Sequence, residues 1–177
     1  MSSIIQTVDE RTRLAGANRL EILLFSLGKE RNTGKEEVFG LNVFKIREVI
    51  TTPEITHAPN MPPGVEGMVA LRGNMIPVIN LAKFCGHDTE DPLNILIVTE
   101  YNKSTHGFMV SSVEQIMRME WNDIKVPPQM MAHQHGGLIT AVSELEDGRI
   151  AMIIDVEKVL AETEGVGEDP TQFEGIE

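Results

Sequence analysis

The chain has 177 residues, enough for one domain, or two small and closely packed ones, to bury a real core. Its net charge is -12, yet residues 162–177 hold six acids and no base, leaving 21 acids against 15 bases in the body. That balance, with Lys and Arg scattered rather than striped, excludes a nucleic-acid or anionic-membrane partner as the expectation. No apolar run approaches the ~18 residues of a membrane span, and the start MSSIIQTVDERTR has no basic n-region, so an unexported protein without direct membrane insertion is expected. The single cysteine, Cys85, rules out an internal disulfide framework and fits a reducing compartment.

In chain order, Val8 to Gly16 reads as a short helix or arm, with Asp9 as N-cap and Gly16 as its stop. Strand signals follow at Arg19–Leu27 and Glu37–Val43, flanking the polar loop Gly28–Glu36. That loop is not a phosphate loop. Five residues separate Gly28 from Gly34, Glu36 stands where Ser or Thr must hold the metal, and a strand follows instead of a helix. A turn-like, Pro-rich run from Thr51 to Gly64 leads into Gly67–Leu81, which reads as a hairpin turning at Gly73-Asn74. Neither of its strands has a clean polar face, so both sides must be covered, and Pro77 belongs at an edge or bulge. Arg72 is the only charged side chain in this hairpin, and on these residues alone it is either a strand-end cap snorkelling to water or a binding group.

Asn80–Gly86 is expected as a short helix, Asn94–Tyr101 as a strand, Asn102–His106 as a turn and Gly107–Met119 as one strand run. After a loop around Trp121–Gly137, two strands join across Asp147-Gly148, a strong two-residue hairpin signal. Gly40, Leu41, Val43, Ile46 and Val49 share their spacing with Gly107, Phe108, Val110, Val113 and Ile116. Downstream, Val78–Phe84 echoes Ile153–Val159, each a buried strand ending in an Asn or Asp able to cap a helix. Duplication into two small β units of about five strands is the simplest account, and barrels hide the edges that open sheets of this size would expose. Two packed barrels leave a groove lined from both halves.

Catalytic signals are weak. His133 and His135 have the spacing of a strand metal pair, and Cys85 with His87 could ligate, but no further ligands stand at recognisable spacing, so no metal or cofactor is assigned. The histidines read as solvated loop residues, Cys85 as a small buried hydrophobe, and Asp88, Glu90 and Asp91 as a solvated acidic turn. Met117, Met119 and the Met130-Met131 pair read as core or loop packing.

Gly67–Leu81 resembles the central motif of the CheW-like family of bacterial chemotaxis coupling proteins, G-x-x-x-L-R-G-x-x-[IV]-P-[VI]-[IV]-[DN]-L. The likeness covers nearly the whole chain, from FSLGKE through Gly40–Ile50 and Gly107–Ile116 to Ile153–Leu160. The leader Thr12–Leu27 looks more like CheV, in which a CheW-like domain precedes a phosphorylatable receiver; no receiver lies within these 177 residues. One departure is Ser111-Ser112 before Val113, where the family often has Asp-Gly. The resemblance implies a mainly β fold of two packed SH3-like five-stranded barrels with short helices. The expected organisation is an arm at 1–18, a CheW-like domain at 19–162 with barrel units roughly 19–86 and 93–162, and an acidic tail at 163–177.

It also implies a non-enzymatic adaptor joining the cytoplasmic hairpin of a chemoreceptor to the regulatory domain of the histidine kinase CheA, at arrays on the inner face of the membrane. Carried over residue by residue, the receptor-facing positions are Ile46, Glu48, Gly67, Arg72, Val113 and Ile116, and the kinase edge holds Ile55 and His57. The alternative is a small-ligand or metal-binding β-barrel enzyme.

Overall fold

The computed structural model describes residues 19–57, 59–62, 64–129 and 137–164. Within them the strands are β1 (Arg19–Ser26), β2 (Val38–Asn42), β3 (Ile46–Thr51), β4 (Val65–Leu71), β5 (Asn74–Asn80), β6 (Ile95–Tyr101), β7 (Ser104–Val110), β8 (Ser112–Glu120), β9 (Ile124–Lys125), β10 (Ile139–Glu144) and β11 (Ile150–Ile154). They form two sheets, in the orders β3-β6-β7-β5-β4 and β8-β1-β2-β11-β10-β9. The first closes where Thr56 and Met68 exchange backbone hydrogen bonds of 2.8 and 2.9 Å, the second where β9, the continuation of β8, pairs with β10. The mainly β, two-barrel architecture is as expected.

The barrels do not divide the chain at 19–86 and 93–162. Strands β3 to β7 make one barrel, nested between β2 and β8 of the other. The internal repeat survives this correction. Replacing β1, β2, β3, β4 and β5 by β6, β7, β8, β10 and β11 converts one strand order into the other, with parallel ladders β2·β11 and β5·β7 as counterparts. In each repeat, therefore, the first two strands lie in one barrel and the rest in the other. The crossings are a 3-10 turn, Val43–Lys45, and a corner at Ser111, whose N–H donates to the Ser26 carbonyl at 2.9 Å. That corner divides what reads in sequence as a single strand run, Gly107–Met119.

The repeated glycines have a packing reason. A Cβ on Gly40 would meet Ile22 Cγ2 at 2.5 Å, and one on Gly107 would meet Leu96 Cδ1 at 2.8 Å. Ile22 and Leu96 occupy equivalent places, diagonal to the glycine on the paired strand, and each fills its own barrel's core. Alternation does the rest. Ile22, Leu24 and Ile153 fill one barrel and Val69, Ile76, Val78, Leu96 and Val98 the other, while Leu23, Phe25, Ile79, Ile97, Phe108 and Ile154 meet in a third cluster between them. Pro77 lies just before the β5·β7 ladder, whose first pair is Val78 with Gly107, so its missing donor interrupts none of it.

The helix Leu81–Phe84 is capped by Asn80, whose side chain accepts from the Lys83 N–H at 3.0 Å. The helix Val156–Glu164 starts behind Asp155, whose carboxylate accepts from the Glu157 N–H at 2.9 Å. Burial raises the Asp155 carboxyl above the usual carboxylate range. Turns differ in detail from the sequence reading. The central hairpin turns at Arg72-Gly73 rather than Gly73-Asn74, since Leu71 pairs with Asn74. Asp147-Gly148 belongs to a longer link in which the Gly148 N–H donates to the Leu145 carbonyl at 2.9 Å and Gly148 has a φ of 87°. This matches a type I turn followed by a left-handed residue.

His87 is not a solvated loop residue, whereas the acidic turn is solvated as expected, Asp88 and Glu90 being exposed, although it is tied to the loop beside it. His87 is buried, its Nε2–H donating to the Gly28 carbonyl at 2.8 Å. Asp91 accepts from the Lys29 N–H at 2.7 Å, and the Asp88 carbonyl accepts from the Arg31 N–H at 2.8 Å. Together they clamp the loop 28–36 onto the segment following the short helix. The arm at 1–18, His133, His135, Met130, Met131 and the tail from 165 lie outside the described residues.

Two outcomes check this packing. Gly40→Val should lower stability by about 1–3 kcal/mol in urea unfolding, because Ile22 is stiff at χ1 and cannot swing away; a loss too small to measure would mean the neighbouring strands relax freely. Burial, followed by the nearby Glu37 charge, pushes the Cys85 thiol up to about 12, so a thiol reagent at neutral pH should label the unfolded chain far faster than the native one. Prompt stoichiometric labelling of native protein would contradict the buried placement.

Candidate functional site

The repeat G-[LF]-x-V-x-x-[IV]-x-x-[VI] places apolar residues three apart, which no regular strand can keep on one face. A bulge resolves this in both barrels. Ile46 pairs with Thr99, Glu48 with Val98 and Val49 with Ile97, so Arg47 and Glu48 share the space of one residue. Likewise Val113 pairs with Phe25 and Ile116 with Leu23, leaving Glu114 and Gln115 opposite Leu24 alone. The extra residue turns Ile46 and Val49, and equally Val113 and Ile116, onto the side of the shared core. It sends Ile50 and Met117 back into their own barrels.

Ile46 and Val113 are therefore half-buried against the shared core, while Val49 and Ile116 stand out at 42% and 56% exposure. These four residues, two from each barrel, are pseudo-symmetric apolar positions above the inter-barrel core. Val49 was absent from the positions carried over by resemblance, although the internal repeat matches it to Ile116.

Glu48 faces the other way, into the mouth of the β3–β7 barrel, where its carboxylate accepts from Arg72 Nη2 at 2.8 Å. This mouth is a shallow pocket of about 370 Å³ that also involves Arg47, Met75 and Lys103. Arg72 keeps 70% of its side chain exposed and Glu48 21%, so one partner is presented to solvent and the other partly shielded. Arg72 and Gly73 have φ values of 50° and 80°, the positive pair of a type I′ hairpin turn, whose first position favours Asn. Asn does occupy that place in the neighbouring Asn102-Lys103 turn, with φ values of 48° and 65°. Arginine in this conformation costs on the order of 1 kcal/mol.

The second barrel has a related tie. Arg149 grips Glu114 with two bonds of 2.8 and 3.1 Å and Asp147 with one of 2.8 Å. These bonds, Glu114's first, raise the Arg149 pKa, and the Arg149 N–H and guanidinium lower that of Asp147. Each barrel's hairpin tip is thus linked by an Arg–Glu pair to its bulged strand, but among the described residues Arg149 has two acids and Arg72 one.

The remaining positions group differently from the sequence reading. Gly67 lies five residues up β4 from Arg72, roughly 16 Å along an extended strand, and so is set apart from that pair. A Cβ there would collide with the Thr56 carbonyl oxygen and Ile55 Cγ2, so Gly67 lets the segment after β3 close the barrel. Ile55 packs against that barrel's core, and exposed His57 donates from Nδ1 to the Glu66 carbonyl at 2.8 Å. Burial alone would raise the Glu66 carboxyl, but hydrogen bonds from Asn80 and Lys83, with the Lys83 charge, outweigh it and hold the pKa below the ordinary value. Gly67 thus stands with Ile55 and His57.

Across residues 21–164 the chain matches the CheW-like domain family. It is 30% identical over 149 residues to the chemotaxis protein CheV3 of Helicobacter pylori, an alignment covering 81% of this chain and 48% of CheV3. With the chemotaxis protein CheW of Thermotoga maritima it shares 31% identity over 130 residues, covering 72% of this chain and 83% of that one. The scaffolding protein TtCheW from Thermoanaerobacter tengcongensis has a similar structure, with a TM-score of 0.69 at 27% identity over 79% of this chain and 91% of TtCheW. The chain spans about half the length of the Helicobacter pylori CheV relatives it matches. The nested barrels, the duplicated glycine pattern and a match covering nearly all the described residues agree: the chain belongs to the CheW-like domain family.

Proposed function

We propose that this chain is a non-enzymatic chemotaxis adaptor, docking the cytoplasmic helical hairpin of a chemoreceptor and joining it to the regulatory domain of the histidine kinase CheA. In this reading the receptor hairpin lies over the apolar positions Ile46, Val49, Val113 and Ile116, with Glu48 and Arg72 supplying charge at the rim. The kinase domain meets the closing segment at Ile55 and His57, beside Gly67. The complex assembles at receptor arrays on the inner face of the membrane.

The observation that carries the reading is Arg72 itself. A charged, largely exposed side chain is held at a positive φ in a turn where Asn would fit better, which is how local strain is kept for a contact made elsewhere. Its fork offers donors to carboxylates or exposed carbonyls on a helix surface, and Glu48 fixes its direction before the partner arrives. The apolar positions supply buried area, and the rim charges supply orientation and selectivity.

Reversing the rim charge should separate binding from folding. Arg72→Glu should weaken association with a receptor-tip hairpin by about 1–3 kcal/mol in titration calorimetry, with stability lowered by no more than about 1 kcal/mol because the Arg72 end of the pair stands in solvent. Arg72→Asn should relieve the turn, holding or raising stability while still losing affinity. A fold loss as large as the binding loss would make Arg72 a structural residue. For bridging, wild-type chain, receptor-tip hairpin and kinase regulatory domain should co-elute as a ternary complex in gel filtration. His57→Glu should drop only the kinase fragment; Ile55 is unsuitable for this test because it packs in the barrel core. Mutual displacement of the two partners by the wild-type chain would end the adaptor reading.

A further inference from the structure

Lys45 ends the 3-10 turn Val43–Lys45 and directly precedes Ile46. Only 8% of its side chain is exposed. Its ammonium lies 3.1 Å from Glu157 Oε1 and 5.2 Å from the centroid of the Tyr101 ring. Those partners come from distant stretches of chain. Tyr101 ends β6, the strand on which β3 pairs, and Glu157 sits in the first turn of the helix Val156–Glu164, its own N–H held by Asp155. The turn at which the chain crosses between barrels is therefore fastened to both neighbours immediately before β3 begins.

A buried ion pair is a poor device for stability alone, since desolvation offsets most of its attraction and an apolar replacement is often neutral. Fixing one arrangement among near-equivalents is a better-attested use. Such alternatives exist two residues downstream. The Arg47 bulge sends Ile46 toward the shared core and Glu48 into the barrel mouth, and moving the bulge by one residue would pair Arg47 instead of Glu48 with Val98, putting an arginine into the mouth beside Arg72 while Val49 and Ile50 kept their places. In the repeat, the counterpart of Lys45 is Ser112, a residue with no comparable reach.

We propose that Lys45 is a positioning residue for partner binding: its buried pairing with Glu157 fixes the start of β3, sets the Arg47 bulge and so aims Glu48 at Arg72. The inference rests on the receptor-docking reading only for its effect on affinity; its effect on β3 stands alone. It also makes the helix Val156–Glu164 part of the site's support, since the anchor of the bulged strand belongs to that helix.

The test uses the full chain with Lys45→Met, Glu157→Gln and the double variant, followed by amide hydrogen exchange and receptor-tip titration. The double variant, which removes both charges, should melt near the wild type, whereas Lys45→Met alone leaves Glu157 largely buried without its cation and should melt lower. Both should exchange the β3 amides of Glu48 to Ile50 about tenfold faster, with β10 and β11 changing less, because the opening is centred on β3. Receptor-tip affinity should fall by about fivefold or more, and the double variant should lose no more than Lys45→Met alone, as expected for two members of one interaction. Lys45→Arg, which keeps the charge, should recover most of the loss. If Lys45→Met does not fold, Glu157→Gln carries the same exchange prediction. Unchanged exchange in β3, or losses that add in the double variant, would overturn the proposal. If wild-type chain fails to bind the receptor tip, the docking reading falls while exchange still decides the role of Lys45.

Discussion

The constraint on which the structure depends is that most of its strands must be covered on both faces. In a small barrel one face of each strand fills the interior and the other would ordinarily meet water. Here the second face of β1, β6 and β11 is apolar, as Leu23, Phe25, Ile97 and Ile154 show, and it is covered by the other barrel. The shared cluster also takes in Leu81, Ala82 and Cys85 from the short helix and Val156, Val159 and Leu160 from the long one. Neither barrel could be removed without exposing this surface, so the two form a single packing unit despite having separate interiors. Nesting one barrel within the connectivity of the other adds a covalent reason for the same unity.

The functional surface follows from a local irregularity in that scheme. A regular strand at the barrel boundary would offer its apolar residues to one side at every second position. The bulges in β3 and β8 change this spacing to three, so one strand can hold Ile46 on the shared core, leave Val49 above it and still return Ile50 to its own barrel. The same step turns Glu48 toward the mouth, where Arg72 meets it. Apolar and charged parts of the surface are thus generated together, by one extra residue in the strand.

Electrostatics then distinguish the two barrels that the backbone makes alike. Arg149 is bound by Glu114 and Asp147, while Arg72 has Glu48 as its ion-pair partner and projects from a turn that disfavours it. Duplication supplied the framework twice, and side chains at the hairpin tips gave the copies different surfaces. Lys45 marks a similar asymmetry at the crossings, with a long buried cation in one copy and a serine in the other.

The sequence by itself determined the class of fold and its duplication, because spacing carries both. Gly40 and Gly107 mark where a neighbouring side chain occupies the place of a Cβ, alternation marks strands, and Asn80 and Asp155 mark helix starts. The resemblance at Gly67–Leu81 pointed to the family for the same reason: its hairpin and the glycine at the closure are local requirements. Only the tertiary structure decided which strands share a barrel, since Ser111 and Val43–Lys45 look locally like continuations of their strands and yet carry the chain from one barrel to the other. It also decided that Gly67 stands with Ile55 rather than with Arg72, that His87 is buried, and that Lys45 meets Glu157 across more than a hundred residues of chain. Contacts of that separation depend on how whole barrels pack, and no local periodicity records them.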